Sequence, residues 1–255
     1  MYKYGESVLK IKNLSLSFGK KLILRDINLD IKDVIGENIT GQVITLLGVS
    51  GIGKTQLMKI IAGLQSPTSG TVLVGLDKQP PVPGKVGMVL QSYPLFEHRT
   101  IISNLTLVSK DIDRINYLLE YFEVSAHKTK YPCQLSGGQR QRIAIVQQIL
   151  SSDKFILLDE PFSGLDPLAI RKLSDTIRKL ADLSDENTII LSSHILTPAL
   201  AVSDHAIMLG KQLDIEGATI INQYSLLDMG LAYNPEIRKN PNFINLVNEI
   251  NDQFK

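Results

Sequence analysis

The sequence predicts an α/β protein with a parallel sheet core, an antiparallel β part ahead of it and a helical lobe inserted within it. Three observations lead there. Runs dominated by apolar residues at 43–47, 154–158, 188–192 and 206–209 have the look of strands buried on both faces. Helical stretches separate them, which is the alternation of a parallel sheet. The N-terminal residues instead alternate apolar and polar, as a sheet with one buried face does.

Taken in order, Val8, Leu9 and Ile11 lead into Leu14-Ser15-Leu16-Ser17-Phe18, a first strand. Gly19-Lys20-Lys21 reads as a turn, and residues 22–31 alternate again, giving an antiparallel meander. Residues 71–75 and 85–90 read as two further short strands, with Pro80, Pro81 and Pro83 marking an irregular connection between them. A Gly-rich loop follows the apolar run at 43–47, and residues 54–63 are amphipathic. From 92 to 152 the pattern is helical, clearest at 115–122 and 139–150, and residues 168–183 form another helix. From Tyr224 onward Asn-rich helical pieces are expected. The expected organisation is one domain over 1–228 with the helical lobe at about 92–152, followed by a short helical tail over 229–255.

Composition narrows the function classes. The chain has 255 residues, 44% of them hydrophobic and 21% charged, which excludes global disorder. Its net charge of +1 argues against a surface that coats nucleic acid. A single cysteine, Cys133, permits no intrachain disulfide and fits a reducing compartment. The first ten residues lack the pattern of a secretory signal, and no apolar run is long enough to span a bilayer. The Asn38-Ile39-Thr40 sequon carries no meaning in such a compartment.

Three motifs carry chemistry. Gly48-Val49-Ser50-Gly51-Ile52-Gly53-Lys54-Thr55 fits the P-loop pattern after a buried strand and before a helix. Gly48, Ser50, Gly51 and Gly53 let backbone N–H groups wrap a phosphate chain, Lys54 is placed to reach its β- and γ-phosphates, and the Thr55 hydroxyl to ligate Mg²⁺. Asp159 and Glu160 end the second buried strand, at the mouth where α/β sheets bind ligands. Asp159 is positioned to hold Mg²⁺ through water, and Glu160 is a candidate general base. Leu135-Ser136-Gly137-Gly138-Gln139 is a helix start: Ser136 and Gln139 fit a capping box, and the two glycines leave the first N–H groups open to an anion.

With these motifs in this order the chain resembles the nucleotide-binding subunits of ATP-binding cassette (ABC) transporters, from about Leu9 to about Asp228. The resemblance implies a P-loop NTPase fold of the RecA-like kind, ATP as substrate with Mg²⁺, and ATP hydrolysis. It implies that Phe18 stacks on adenine. Gln91, in Val89-Leu90-Gln91-Ser92-Tyr93-Pro94-Leu95-Phe96, matches the glutamine that touches Mg²⁺ or the attacking water. Asp166, in Ser163-Gly164-Leu165-Asp166, matches a loop that crosses a dimer interface, and His194 matches a histidine contacting the γ-phosphate. The implied catalytic group is thus Glu160, His194, Gln91 and Lys54, the Mg²⁺ group Thr55, Gln91 and Asp159. In the family each ATP lies between the P-loop of one cassette and Ser136, Gly137, Gly138, Gln139 and Asp166 of a second, so the chain is expected to work as a homodimer or heterodimer.

The sequence departs from the family pattern at three places. Residues 33–40 lengthen the connection before the P-loop strand and are expected to form a surface loop. Ile143-Ala144-Ile145-Val146-Gln147-Gln148 replaces the common Ala-Arg-Ala, and no acidic residue follows His194. Lys130-Tyr131-Pro132-Cys133-Gln134 resembles importer cassettes, which implies import of a small polar solute through separate transmembrane permease subunits, with an extracytoplasmic solute-binding protein as a further partner; separate-subunit lipid or lipoprotein transporters are the other transporter class left open. The expected location is the cytoplasmic face of the membrane. The alternative is a soluble ABC ATPase acting on ribosomes or DNA. One cassette, no sustained heptads and the charge balance argue against it, and no nucleic acid is expected as a partner. A third reading, an ATP-binding switch without turnover, is opposed by the presence of Glu160 and His194.

Overall fold

The computed structural model describes residues 2–36, 41–152, 154–234 and 236–254. In chain order the elements are β1 (Tyr2–Phe18), β2 (Lys21–Gly36), β3 (Gln42–Leu47), α1 (Lys54–Ile61), β4 (Ser69–Val74), β5 (Gly87–Val89), α2 (Ile101–Leu105), α3 (Ile112–Tyr121), α4 (Gly137–Ser151), β6 (Phe155–Leu158), α5 (Pro167–Asp182), β7 (Thr188–Ser193), α6 (Leu196–Ala201), β8 (His205–Lys211), β9 (Ala218–Ser225) and α7 (Pro241–Asp252). The strands form one nine-stranded sheet in the order β4-β1-β2-β9-β8-β3-β7-β6-β5. The five strands from β8 to β5 run parallel. β1 runs antiparallel to both of its neighbours, β2 and β4, and β9 returns antiparallel to β8. The two halves meet through a single parallel pair, Leu24 with Ala218.

Period-two burial explains the two-sided core. Along β3, Val43 and Leu47 join Ile156, Leu158, Ile189 and Leu191 beneath the helices that carry Ile143, Leu173, Ile177 and Phe243. Ile44 and Leu46 face the other way, with Leu157, Ile190 and Ile207, onto Leu57, Met58 and Ile61 of α1 and onto Leu9 and Ile27 of the antiparallel part. Burying each such side chain contributes roughly 1.5–3 kcal/mol, so β3, apolar on both faces, is held in place before the P-loop begins. Its start is fixed by a charged anchor. Asp204, fully buried, accepts a hydrogen bond from the Val43 N–H at 2.7 Å and pairs with Arg178 at 3.3 Å. Arg178 in turn lies 4.6 Å over the Tyr233 ring. Burial pushes the Asp204 carboxyl above the usual carboxylate range, with Arg178 opposing that shift.

Several expectations need correction. Residues 33–36, expected in a surface loop, belong to β2: Val34, Ile35 and Gly36 pair with Tyr4, Lys3 and Tyr2. β1 therefore begins before Val8, and its polar first residues find a partner thirty positions on, which no local pattern announces. The rest of the expected 33–40 loop, with the sequon, lies outside the described residues. Tyr224 and Ser225, expected to open a helical tail, end strand β9, whose backbone groups are satisfied by β8. The tail's helix, α7, packs Phe243, Leu246 and Ile250 into the main core. Residues 92–100, at the head of the expected helical stretch, form a loop rather than a helix. Buried Asn104 staples it, accepting from the Phe96 N–H at 2.8 Å and donating to the carbonyls of Phe96, Arg99 and Thr100. Among the described residues no helix is long and apolar enough to cross a membrane.

Candidate nucleotide site

The site forms at the C-terminal ends of β3, β6 and β7. β3 delivers the loop, which turns into α1 through Gly51 (φ 77°) and Gly53 (φ 119°), a backbone region that disfavours residues with a Cβ. Gly53 also has no room to spare, since a Cβ there would stand 2.9 Å from Leu24 Cδ2. The P-loop is thus seated on β2, near the hairpin end that carries Phe18.

Lys54 is buried, and its Nζ donates to the Gly48 carbonyl at 2.7 Å and to the Val49 carbonyl at 3.2 Å. The same ammonium pairs with Glu160 Oε1 at 2.9 Å. The other carboxylate oxygen of Glu160, Oε2, meets His194 Nδ1 at 2.8 Å and accepts from the His194 N–H at 3.3 Å. Glu160 takes a positive φ of 48°, which turns it back from the end of β6 toward both partners. Beside it, the Thr55 hydroxyl donates to both oxygens of Asp159, at 2.9 and 3.1 Å. Ser192 fixes the two acids relative to each other: its hydroxyl donates to Asp159 Oδ1 at 2.7 Å and accepts from the Glu160 N–H at 2.8 Å.

The structure therefore brings Lys54, Thr55, Asp159, Glu160 and His194 into one cluster from three strand ends. Ser192 was not singled out in the sequence. The signal was there, two residues before His194 on the strand beside that of Asp159, but a serine in an apolar strand has no distinctive spacing. Gln91, two residues past β5, is exposed, and no bond joins it to this cluster. Phe18 is 53% exposed at the end of β1. No hydrogen bond or ring contact joins Phe18 to the cluster either.

The remaining expected residues lie apart. Ser136 caps α4 in the expected box, accepting from the Gln139 N–H at 3.4 Å while its own N–H donates to Gln139 Oε1 at 3.0 Å. A Cβ at Gly137 or Gly138 would meet nothing within 4 Å. Glycine in a helix costs about 1 kcal/mol against alanine, and no contact within the chain requires it at either position. Asp166 caps α5, accepting from the N–H groups of Leu168 and Ala169, each at 2.9 Å.

Among the described residues there is no cluster of three or more His, Cys, Asp or Glu that could cage an ion. Thr55 and Asp159 offer hard oxygens from one hydroxyl and one carboxylate, which suits Mg²⁺, an ion that keeps several waters and takes phosphate oxygens as ligands.

Fold and site together define a P-loop protein whose phosphate loop is paired with two acids and a histidine. Residues 26–163 match the family model described as ABC transporter, and the chain belongs to that family. Among curated relatives it is 35% identical over 217 residues to a sulfate/thiosulfate import ATP-binding protein of Rhizobium meliloti, covering 79% of this chain and 57% of that one. It is 32% identical to a Synechocystis protein of the same description, covering 93% of this chain and 68% of that one. An Fe(3+) ions import ATP-binding protein of Mannheimia succiniciproducens is 33% identical, with 83% and 61% covered. The chain spans about three-fifths of the length of most of these relatives. A solved subunit of a Clostridium perfringens ABC transporter complex superposes with a TM-score of 0.73 at 23% identity, covering 88% of this chain and 91% of that one, a likeness of fold. A dimeric bacterial ABC transporter cassette superposes with a TM-score of 0.68 at 25% identity, covering 86% and 98%. Family membership supports ATP as the ligand of the P-loop.

Proposed function

We propose that this chain binds ATP with Mg²⁺ and hydrolyses it to drive import of a small polar solute through separate permease subunits. The observation that carries the proposal is the contact of Glu160 with both Lys54 and His194, beside the Thr55–Asp159 pair. In this reading the P-loop N–H groups and Lys54 hold the β- and γ-phosphates, and Phe18 stacks on the adenine. Thr55 and Asp159 hold Mg²⁺, with Gln91 closing on it from the β5 side. Bound there, the ion neutralises phosphate charge. Glu160 accepts a proton from the attacking water, His194 contacts the γ-phosphate, and Ser192 keeps the two acids in register.

Two cassettes work head to tail. Ser136, Gly137, Gly138, Gln139 and Asp166 of one cover the nucleotide of the other, which gives the two glycines a reason to leave open space at the start of α4. Closure around ATP and opening after hydrolysis move the permease. The cassette comprises residues 1–228, with the helices between 92 and 152 as its inserted lobe and 229–255 as a tail docked on it. The importer reading is supported by relatives named for import of sulfate, thiosulfate and Fe(3+), all small polar solutes. It places the chain on the cytoplasmic face of the membrane as a peripheral subunit, with a solute-binding protein as the outer partner.

The test is affinity purification of the tagged chain from solubilised native membranes, with phosphate release measured on the product. A stoichiometric multi-span protein and Mg²⁺-dependent turnover are expected. Recovery with ribosomal or DNA-repair proteins and no permease would overturn the transport reading.

A further inference from the structure

The helix that starts at Ser136 and the loop that follows β5 are separate in sequence, yet one side chain joins them. Arg140 stands one turn into α4, and its own N–H donates to the Ser136 carbonyl at 2.9 Å. Its guanidinium reaches out of the helix to two points of the loop. Nε donates to the Tyr93 carbonyl at 3.2 Å, and Nη2 pairs with the Glu97 carboxylate. The loop between these points is otherwise braced. Tyr93 holds a positive φ of 46° and closes a turn on the Leu90 carbonyl at 2.9 Å, directly around Gln91. From Phe96 onward Asn104 staples the chain from the other side. Arg140 is therefore the link between a loop that carries Gln91 and a helix start that carries Ser136 and its two glycines. The planar fork suits this, because its donors are pre-organised in one rigid plane and less freedom is lost per hydrogen bond formed.

We propose that Arg140 is a positioning residue: it locks the 91–97 loop and the Ser136–Gly138 helix start into one unit, so that the helix start meets a second cassette only in the register the loop sets. This rests on the head-to-tail reading above. It adds that a displacement of the loop reaches Ser136 through the guanidinium and one turn of helix, with no need for the strand core to move.

The experiment uses the full chain carrying Glu160→Gln, to hold ATP without turnover, and measures ATP-dependent self-association by sedimentation and nucleotide affinity with a fluorescent ATP analogue. Adding Arg140→Ala should weaken association at least tenfold while changing nucleotide affinity less than twofold. Arg142→Ala is the control for a purely structural role. Arg142 lies on the same helix but bonds the Phe122 carbonyl at 3.1 Å and pairs with Glu123 at 3.8 Å, away from the loop. It should leave association unchanged. Glu97→Gln, which keeps an acceptor, should fall between parent and Arg140→Ala, and it keeps the test open if Arg140→Ala fails to fold. Association of Arg140→Ala and Glu97→Gln equal to that of the parent overturns the inference and leaves the dimer reading standing. Equal weakening by Arg142→Ala overturns it as well. No association of the parent with ATP overturns the dimer reading and this inference with it.

Discussion

Replacing Glu160 by glutamine separates three contributions that the structure places on one carboxylate. The first is chemical. A positioned general base contributes about 10²–10⁴ in rate, or about 3–5 kcal/mol of barrier, and an amide cannot take the proton. The second is electrostatic. Oε1 lies 2.9 Å from the Lys54 ammonium, the group proposed to meet the γ-phosphate. Two like charges about 4 Å apart repel by about 4 kcal/mol at an effective dielectric near 20, which bounds the penalty that Glu160 places on an arriving phosphate. The third is stability. Leaving Lys54 without any partner would cost about 3–5 kcal/mol, but the ammonium keeps the Gly48 and Val49 carbonyls and the amide oxygen remains an acceptor. The expected loss is therefore about 1 kcal/mol. Glu160→Gln should thus lose at least a hundredfold in phosphate release at saturating Mg-ATP, bind ATP as tightly as the parent or more tightly by calorimetry, and melt within a few degrees of it. Turnover within threefold of the parent would refute the base assignment. Weakened ATP binding would refute the electrostatic argument.

Arg178→Ala should destabilise by about 3–5 kcal/mol, because it leaves the fully buried Asp204 unpaired behind β3. Burial already raises the Asp204 carboxyl, and a carboxylate whose folded pKa exceeds its unfolded one loses stability as pH rises between those two values. The deficit of Arg178→Ala in thermal melts should therefore shrink as pH falls from neutral toward the ordinary carboxylate range, and a deficit that grows would contradict the pairing. Phe18→Ala should leave the fold intact, since the ring is 53% exposed, and weaken ATP about 5- to 150-fold if a stacking contribution of about 1–3 kcal/mol is lost. Tripolyphosphate binding should not change, and an equal loss for both ligands would argue against stacking. Gly53→Ala should cost about 1–2 kcal/mol from its positive φ, with further strain against Leu24, and abolish nucleotide binding; a variant that binds normally would show the loop to be less constrained than its geometry states.

Much of the candidate site's local structure was legible because its elements are local. The P-loop needs glycines at φ values that they alone adopt freely, then a lysine and a hydroxyl on the first turn of a helix, all within eight residues. The capping box at Ser136 and Gln139 closes within a single turn and formed as expected. The apolar runs of β3, β6, β7 and β8 could be placed because strands buried on both faces put apolar residues at successive positions, as Val43-Ile44, Leu46-Leu47 and Ile189-Ile190-Leu191 do. Local patterns were weaker where partners are remote. The first residues of β1 and the last of β2 are polar enough to pass for coil, and each is a strand because the other is there. β9 depends on β8 in the same way.

The sequence by itself determined which groups are available and how the Gly-rich loop turns from β3 into α1, since backbone preference and helix capping act over a few residues. Only the tertiary structure decided the company those groups keep. It set Lys54 on Glu160, His194 behind it, Ser192 between the two acids, and Arg140 on a loop more than forty residues earlier. Those contacts depend on the order in which β3, β7 and β6 lie side by side and on how the helices between them cross the sheet. The whole core fixes that order, because no short segment can bury its apolar faces alone.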